Sequence, residues 1–329
     1  MMSFPSSFGV LDVDWLDKAI VLELYGNARI SFQDLAKKFD QSFNTIKNRV
    51  KKLEKGGVIQ EYTVELSLNM VGADYLYAVI RTDGTEDIQA LIETIGNHRL
   101  IRHTGRYGYQ AYDAQAVVRG SIEFFELKQF LESLPSIKHV EIHPFMWILP
   151  DAPPQSKVRS RGKKVEFTLN QLRVLQCLSK DVRMPVSKLA KQTGLTTRRV
   201  RSILRELHDG GGVHFTIRMN WLSVNIVILG FLIRFNEKKV TVSDIVSWFQ
   251  EQFSLEFWGM VVWLDEPTVI ASLNVADLSK VAEITRKVKA AGFAESVEDS
   301  VVTSAFYAPS HYRGPSQTRL EEIFKEAGL

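Results

Sequence analysis

The chain has 329 residues and a net charge of +3, a length that holds about two ordinary domains or more small ones at the usual ~150 residues per domain. Apolar residues make up 45% and charged residues 24%, both near globular averages, which excludes wholesale disorder. The single cysteine, Cys177, excludes an intrachain disulfide framework and a CxxC-type zinc knuckle.

Residues 1–10 lack the basic start and apolar core of a secretory signal and are expected to be a flexible N-terminus. Over 11–66, three helical patterns and a strand follow. Leu16, Ile20 and Leu24 stripe a first helix, and Ser31 caps a second that carries Leu35, Ala36 and Phe39. Ser42 caps a third helix that buries Ile46, Val50 and Leu53 and stops at Gly56-Gly57, before the strand 58–64. Helix, turn, helix and a strand able to fold back as a wing make a helix-turn-helix domain.

Residues 67–149 switch to a βαββαβ pattern: strand 75–81, helix 87–95, strands 100–104 and 111–118, helix 122–134 and strand 137–142. The turn joining the middle strands is placed at Gly105-Arg106-Tyr107-Gly108. This is the ferredoxin-like arrangement. A basic linker spans 150–165, and its residues 151–164 carry net +4.

The pattern then starts again. Leu35-Ala36-Lys37 recurs as Leu189-Ala190-Lys191, 154 positions on, and the same offset pairs Arg29 with Arg183, Ile46 with Val200 and Gly56-Gly57 with Gly210-Gly211. Residues 166–217 are therefore a second winged helix-turn-helix domain, whose third helix buries Val200, Leu204 and Leu207. Residues 218–306 are a second ferredoxin-like domain, and 307–329 a tail with a short helix. The most apolar stretch, 221–235, is interrupted by Ser223, Asn225 and Arg234 and falls short of the roughly 18 residues of a membrane span. A cytoplasmic protein without a membrane partner is expected. Strand 226–235 is apolar at odd and even positions alike, so both its faces need cover, from the first copy or from a second chain.

Charge follows the duplication. Residues 165–216 carry net +5, whereas 63–150 carry −4 and 217–306 carry −3. Basic side chains gather on the third helix of each helical domain. Ser42, Asn44, Thr45, Lys47, Asn48, Arg49 and Lys51 mark the first, and Thr197, Arg198, Arg199, Arg201, Ser202 and Arg205 the second. Arg, Lys and Asn at such a helix are the donors that meet base edges and phosphates in a major groove. An ordinary solvated basic face is the bland alternative, and its recurrence in two aligned copies argues against it.

The residues Leu11-Asp12, Asp17, Ile20, Leu24, Arg29 and Leu35-Ala36, followed by Ser42, Ile46, Arg49-Val50, Leu53-Glu54 and Gly57-Val58-Ile59, resemble the helix-turn-helix pattern of the Lrp/AsnC family, the feast/famine regulators. The resemblance extends over both copies, from about 11 to 306. In the second, Ile203 stands where the family has an arginine, and Gly210-Gly211-Gly212 reads as one residue longer. It implies sequence-specific binding of double-stranded DNA by the helical domains, and pairing or small-molecule sensing by the ferredoxin-like (RAM-like) domains. By the same resemblance, Thr104, Gly105, Arg106 and Tyr107 are the candidate effector residues. Gly108 stands where the family has an acid, so an amino-acid effector is not expected and its identity stays open.

Other groupings are weaker. His139, Glu141 and His143 share a strand face and could join a zinc or nickel site, though a polar ladder at a sheet contact is the better reading. His98 and His103 are similarly ambiguous, Cys177 has no neighbouring His or basic cluster that would mark a catalytic thiol, and Trp221, Trp248, Trp258 and Trp263 read as packing. No catalytic residue, metal ligand or cofactor is assigned. The expected function is an α+β, tandemly duplicated, DNA-binding transcriptional regulator that forms a homodimer or larger assembly. The alternative is a tetrapyrrole enzyme resembling the siroheme decarboxylases, which share the architecture, with His103 and Arg106 near the relevant turn.

Overall fold

The computed structural model describes residues 13–149, 162–220, 227–275, 278–307 and 314–329. The first copy contributes α1 (Trp15–Gly26), α2 (Phe32–Lys38), α3 (Phe43–Lys55), β1 (Ile59–Leu66) and a one-turn α4 (Leu68–Val71). Then come β2 (Asp74–Thr82), α5 (Ile88–Gly96), β3 (Ile101–Tyr107), β4 (Ala111–Val118), α6 (Gly120–Glu132) and β5 (Ile137–Ile148). The second copy repeats the order as α7 (Leu169–Leu178), α8 (Val186–Thr193), α9 (Thr197–Asp209), β6 (Val213–Met219), β7 (Val227–Phe235), α10 (Val242–Gln252), β8 (Phe257–Trp263), β9 (Thr268–Val275), α11 (Val281–Lys289) and β10 (Ala294–Tyr307). Helix α12 (Pro315–Glu326) ends the chain.

Helix starts are set by side-chain caps. Ser31 and Ser42 accept from the backbone N–H of Asp34 and Thr45, and Thr196 does the same for Arg199. Asp14 and Thr168, the first caps of the two copies, each close a capping box, with Asp17 and Gln171. Helix α9 buries Val200, Ile203 and Leu207, so Ile203 is a core residue and Leu204 only half-buried, unlike the expected stripe. The glycine turn holds no insertion either. β1 and β6 start 154 positions apart, and Gly212 occupies the place of Val58 because a side chain there would meet Val165, at 2.3 Å from its Cγ2.

The wing strands do not fold back within their own domains. β1 and β6 pair with each other, antiparallel, from Ile59 opposite Met219 to Leu66 opposite Val213. Both helical units, this ribbon and α12 share one hydrophobic core, with Ile20, Leu35, Ile46, Leu53, Leu175, Leu189 and Val200 all fully buried.

Each ferredoxin-like unit has its own sheet, and the two sheets join into a closed antiparallel barrel, β10-β3-β4-β2-β5-β8-β9-β7. The joins are two long strands. β5 pairs with β2 through Pro144 and then with β8 from Phe145 to Ile148. β10 pairs with β7 through Val301 and then with β3 from Val302 onward. That second join keeps β3 in strand as far as Tyr107, so the expected turn at 105–108 is displaced. The reversal uses Gly108 and Gln110, both at positive φ.

Closure also settles the doubly apolar strand, of which Ile226 lies outside the described residues. Leu229, Phe231 and Ile233 of β7 face the second unit's helices, while Leu232 packs in a central cluster with Tyr77, Phe145, Val261, Trp263 and Ile270. The first copy supplies the cover, and β7 does not require a second chain.

Candidate nucleic-acid interface

The two helical units face each other through a reciprocal pair of arginines. Arg183 donates to the carbonyls of Ala28 (2.8 Å) and Ile30 (3.2 Å). Arg29 donates to those of Val182 and, at 3.1 Å, Met184. Donors and acceptors all obey the 154-residue offset, so the contact is a pseudo-two-fold axis written in side chains. Arg183 also lies over the rings of Phe32 (4.7 Å) and Tyr62 (5.2 Å). Burial, and then the like charge of Arg183, pull the Arg29 guanidinium below its ordinary pKa. Carbonyls that would otherwise be buried without donors hold the two cations together.

On this paired body, α3 and α9 keep much of their basic surface outside. Asn44, Asn48 and Lys51 of α3 are exposed, as are Thr197, Arg198, Arg201 and Arg205 of α9. Among the described residues Arg198, Arg201 and Arg205 have no side-chain hydrogen-bond or ion-pair partner, and neither have Asn44, Asn48 and Lys51. Lys47 is half-buried beside them. The remaining candidates are engaged within the chain. Ser42 and Thr45 bond to each other at 2.8 Å as part of the α3 cap. Arg199 and Ser202 both bond Glu206, at 2.6 and 2.8 Å.

Arg49 has a different task from the one its place on the reading helix suggests. Its guanidinium meets Asp14 at 2.8 Å and the fully buried Asp17 at 3.0 Å, and Lys52 reaches Asp17 at 3.2 Å. These contacts pin α3 to the start of α1. Burial works to raise the pKa of Asp14, but bonds from the Asp17 N–H and from Arg49 outweigh it and hold it below the ordinary value. In the second copy Thr168 and Gln171 replace the acids at those two positions. There Gln171 bonds Glu206, the counterpart of Lys52, at 3.0 Å. With no acid to hold, Ile203 replaces the arginine and packs instead. Sequence reading finds the substitution but not its partner, although Asp14 and Asp17 carry the signal at the same offset.

The candidate effector residues lie on β3. Thr104 is buried and its hydroxyl donates to the Asp113 carbonyl at 2.6 Å, and Gly105 lies opposite Asp113 in register. Arg106 has a buried Nε without a hydrogen-bond partner, and Tyr107 approaches Gly230 of the second unit. Beneath the β1–β6 ribbon, a cavity of about 260 Å³ is lined by Tyr107, Arg102, His103, Trp147, Arg218 and Trp258. Sequence reading misses Arg102, Trp147 and Arg218. Arg102 is held by Glu65 at 2.9 Å, and Arg218 by Glu61 at 3.3 Å. Arg106 is not part of that lining, so His103 and Arg106 do not converge there.

The strand of alternating histidines is a ladder of polar pairs. His139 bonds Glu141 at 2.7 Å, while His143 bonds Asp265 at 3.1 Å and stacks on Trp263 at 3.6 Å. Among the described residues, no three His, Cys, Asp or Glu side chains are grouped as metal ligands. His98 stacks on Phe130, and burial pushes the Cys177 thiol up. Trp248 packs among Phe249, Phe253 and Phe293. Trp221 falls outside the described residues. No described helix is long and apolar enough to cross a membrane.

Comparison with known proteins agrees with this geometry. A family model for winged helix-turn-helix DNA-binding domains matches twice, at residues 14–60 and 168–211. The HTH-type transcriptional regulator PH0045 of Pyrococcus horikoshii is 31% identical over 131 residues, which is 37% of this chain and 79% of that protein. The regulatory protein AsnC of Escherichia coli is 39% identical over 62 residues, 19% of this chain and 41% of AsnC. In three further HTH-type regulators, one each from Pyrococcus abyssi, Pyrococcus furiosus and Pyrococcus horikoshii, the alignment spans about half of the relative's length, 42–47%. Among solved structures, the siroheme decarboxylase NirDL in complex with an iron-uroporphyrin III analogue superposes with a TM-score of 0.59 at 11% identity. It covers 94% of this chain and 97% of NirDL, a likeness of fold.

Proposed function

Because the chain belongs to the Lrp/AsnC family of helix-turn-helix regulators, we propose that it is a sequence-specific DNA-binding transcriptional regulator rather than an enzyme. It reads double-stranded DNA with α3 and α9 and assembles through its ferredoxin-like units. The observation that carries this reading is the pair of basic helices, left without intrachain partners at Asn44, Asn48, Lys51, Arg198, Arg201 and Arg205, on one body locked by Arg29 and Arg183. Exposed asparagines can form bidentate bonds to adenine, and arginines can bond guanine or phosphate. One chain then presents what a two-chain dimer presents elsewhere. The family oligomerises, and a homodimer of this chain would carry four reading helices.

The test is a titration against an operator selected from the native promoter regions and against its scrambled sequence, at several salt concentrations. A regulator binds the operator about 10³-fold or more tighter than scrambled DNA, with a negative log–log salt slope. Equal affinity for both duplexes would defeat the proposal.

One observation favours a second reading, the full-length likeness in fold to a siroheme decarboxylase together with His103 in the cavity under the ribbon. Charge and size speak against it. Pockets for drug-sized ligands run about 300–1,000 Å³, and a tetrapyrrole polycarboxylate is larger than most such ligands, whereas this cavity measures about 260 Å³. Its two arginines already face Glu65 and Glu61. Absorption spectra after incubation with siroheme separate the readings: a stoichiometric shifted band would favour the enzyme.

A further inference from the structure

The cavity beneath the β1–β6 ribbon takes lining residues from all eight strands of the barrel and from both strands of the ribbon. It is therefore the mouth of the barrel, with the ribbon laid across it, a usual place for a small-molecule site. Its aromatic wall is Tyr25 of α1 together with Tyr75, Phe145, Trp147 and Trp258 of the barrel strands. Three uncharged polar side chains, Gln115, Ser272 and Asn274, share the lining. Gln115 is the fifth residue of β4 and Ser272 the fifth of β9, the equivalent strand of the second copy, and Asn274 follows on the same face. Their neighbours Ala114, Leu273 and Val275 are buried in the clusters formed with the helices, so the alternation turns these three polar groups into the barrel.

Hydrogen bonding separates two kinds of polar group there. The charged side chains of the lining are already paired: Arg102 with Glu65 at 2.9 Å, Arg218 with Glu61 at 3.3 Å, and His103 with Asp113 at 3.5 Å. Gln115, Ser272 and Asn274 have no side-chain hydrogen-bond partner among the described residues. Their donors and acceptors are left for water or a ligand to serve. We propose that this cavity binds a free purine base of the adenine type, stacked on the aromatic wall, with the amides of Gln115 and Asn274 reading its edge. An amide offers a donor beside an acceptor and so matches the amino group and ring nitrogen of adenine bidentately. Aromatic side chains are the ordinary stacking surface for an unpaired base.

Size and charge narrow the class. At about 260 Å³ the cavity lies just below the range of about 300–1,000 Å³ that drug-sized ligands take, which suits a fused pair of rings and not a whole nucleotide. An amino-acid zwitterion fits poorly, because its carboxylate and ammonium would compete with ion pairs that the chain already makes. A purely apolar ring fills the aromatic wall but strips both amides of water and leaves them unpaired, which is unfavourable for buried polar groups. Tyr25 and the ribbon belong to the reading body and both amides to the barrel, so an occupant touches the two parts of the chain at once.

The test needs no DNA, so it is independent of the reading proposed above. Adenine, unsubstituted purine, indole and leucine are titrated calorimetrically into the full chain, and tryptophan fluorescence is followed in parallel because Trp147 and Trp258 line the cavity. Adenine should bind one per chain and quench that fluorescence, with purine, indole and leucine at least tenfold weaker. Gln115→Leu and Asn274→Leu should each lose at least tenfold in adenine affinity. Their unliganded melting temperatures should stay near the parent's, since neither amide bonds another side chain. The ligand series is read on the parent chain and stands whether or not a variant folds. No heat with adenine, equal binding of adenine and indole, leucine binding in place of adenine, or undiminished adenine binding by both variants would each overturn the proposal.

Discussion

If Arg29 and Arg183 define the axis between the reading helices, truncating them must cost a predictable amount in a predictable pattern. Arg29→Met strips the donors from the carbonyls of Val182 and Met184, residues that are 2% and 3% exposed. Hydrogen bonds from a charged donor contribute about 1.5–3 kcal/mol each, so two contribute roughly 3–6 kcal/mol. Relief of the repulsion between the two guanidiniums returns about 1 kcal/mol, leaving a loss of roughly 2–5 kcal/mol. Arg183→Met loses its own pair of bonds and also its position over Phe32 and Tyr62, which adds about 0.5–1 kcal/mol. The double variant loses all four bonds but recovers the repulsion once, so it should be less stable than the two single losses predict by about 0.5–1 kcal/mol. Native-state hydrogen exchange at amides of α1 and α7 reads the helical pair separately from the barrel. Losses under about 0.5 kcal/mol, or a double variant better than the sum, would refute the clamp.

The two reading helices should differ in role. Asn44→Ala or Asn48→Ala should cost about 1–3 kcal/mol on the operator and little on random DNA, while Arg201→Ala with Arg205→Ala should weaken both and flatten the salt slope by about 0.9 for each phosphate no longer neutralised. Arg49→Leu should destabilise the first helical domain by about 3 kcal/mol because the buried Asp17 keeps Lys52 as its one cationic partner among the described residues, and urea unfolding showing a loss near zero would contradict the lock. Acid should loosen the same region. Asp14 is held below its ordinary pKa, so its contribution is complete above about pH 4, where the unfolded group ionises, and disappears as pH falls through the lower folded value. Melting scans from pH 7 to 2 should show this loss, and Asp14→Asn should blunt it; an unchanged acid profile in the variant would remove Asp14 from the account.

The duplication, the helix caps and the order of elements were legible because they are local: periodicity, a Ser or Thr before an apolar run, glycine after it. Pairings between the copies were not. Nothing around Pro144 or Val301 announces that β5 and β10 cross from one sheet to the other, since partner choice depends on residues more than a hundred positions away. The misplaced turn at 105–108 has that origin, because β10 extends β3 where its own residues suggest a reversal. The wing strands likewise carry ordinary strand composition and no mark of their partner. Arg49 shows the limit for sites. Its residue type suits DNA and an ion pair equally well, and only the position of Asp14 and Asp17 decides between them.

The central claim is that one chain reads DNA through both of its reading helices. Selection of duplexes from a randomised library by the full chain, followed by sequencing and repeated with the Asn44→Ala, Asn48→Ala and Arg201→Ala, Arg205→Ala variants, tests it most directly. The account predicts a defined motif for the parent protein, blurred by the asparagine changes and kept by the arginine changes, at lower yield and with a weaker salt dependence. A parent protein that enriches no motif, or variants that select as the parent does, would contradict it.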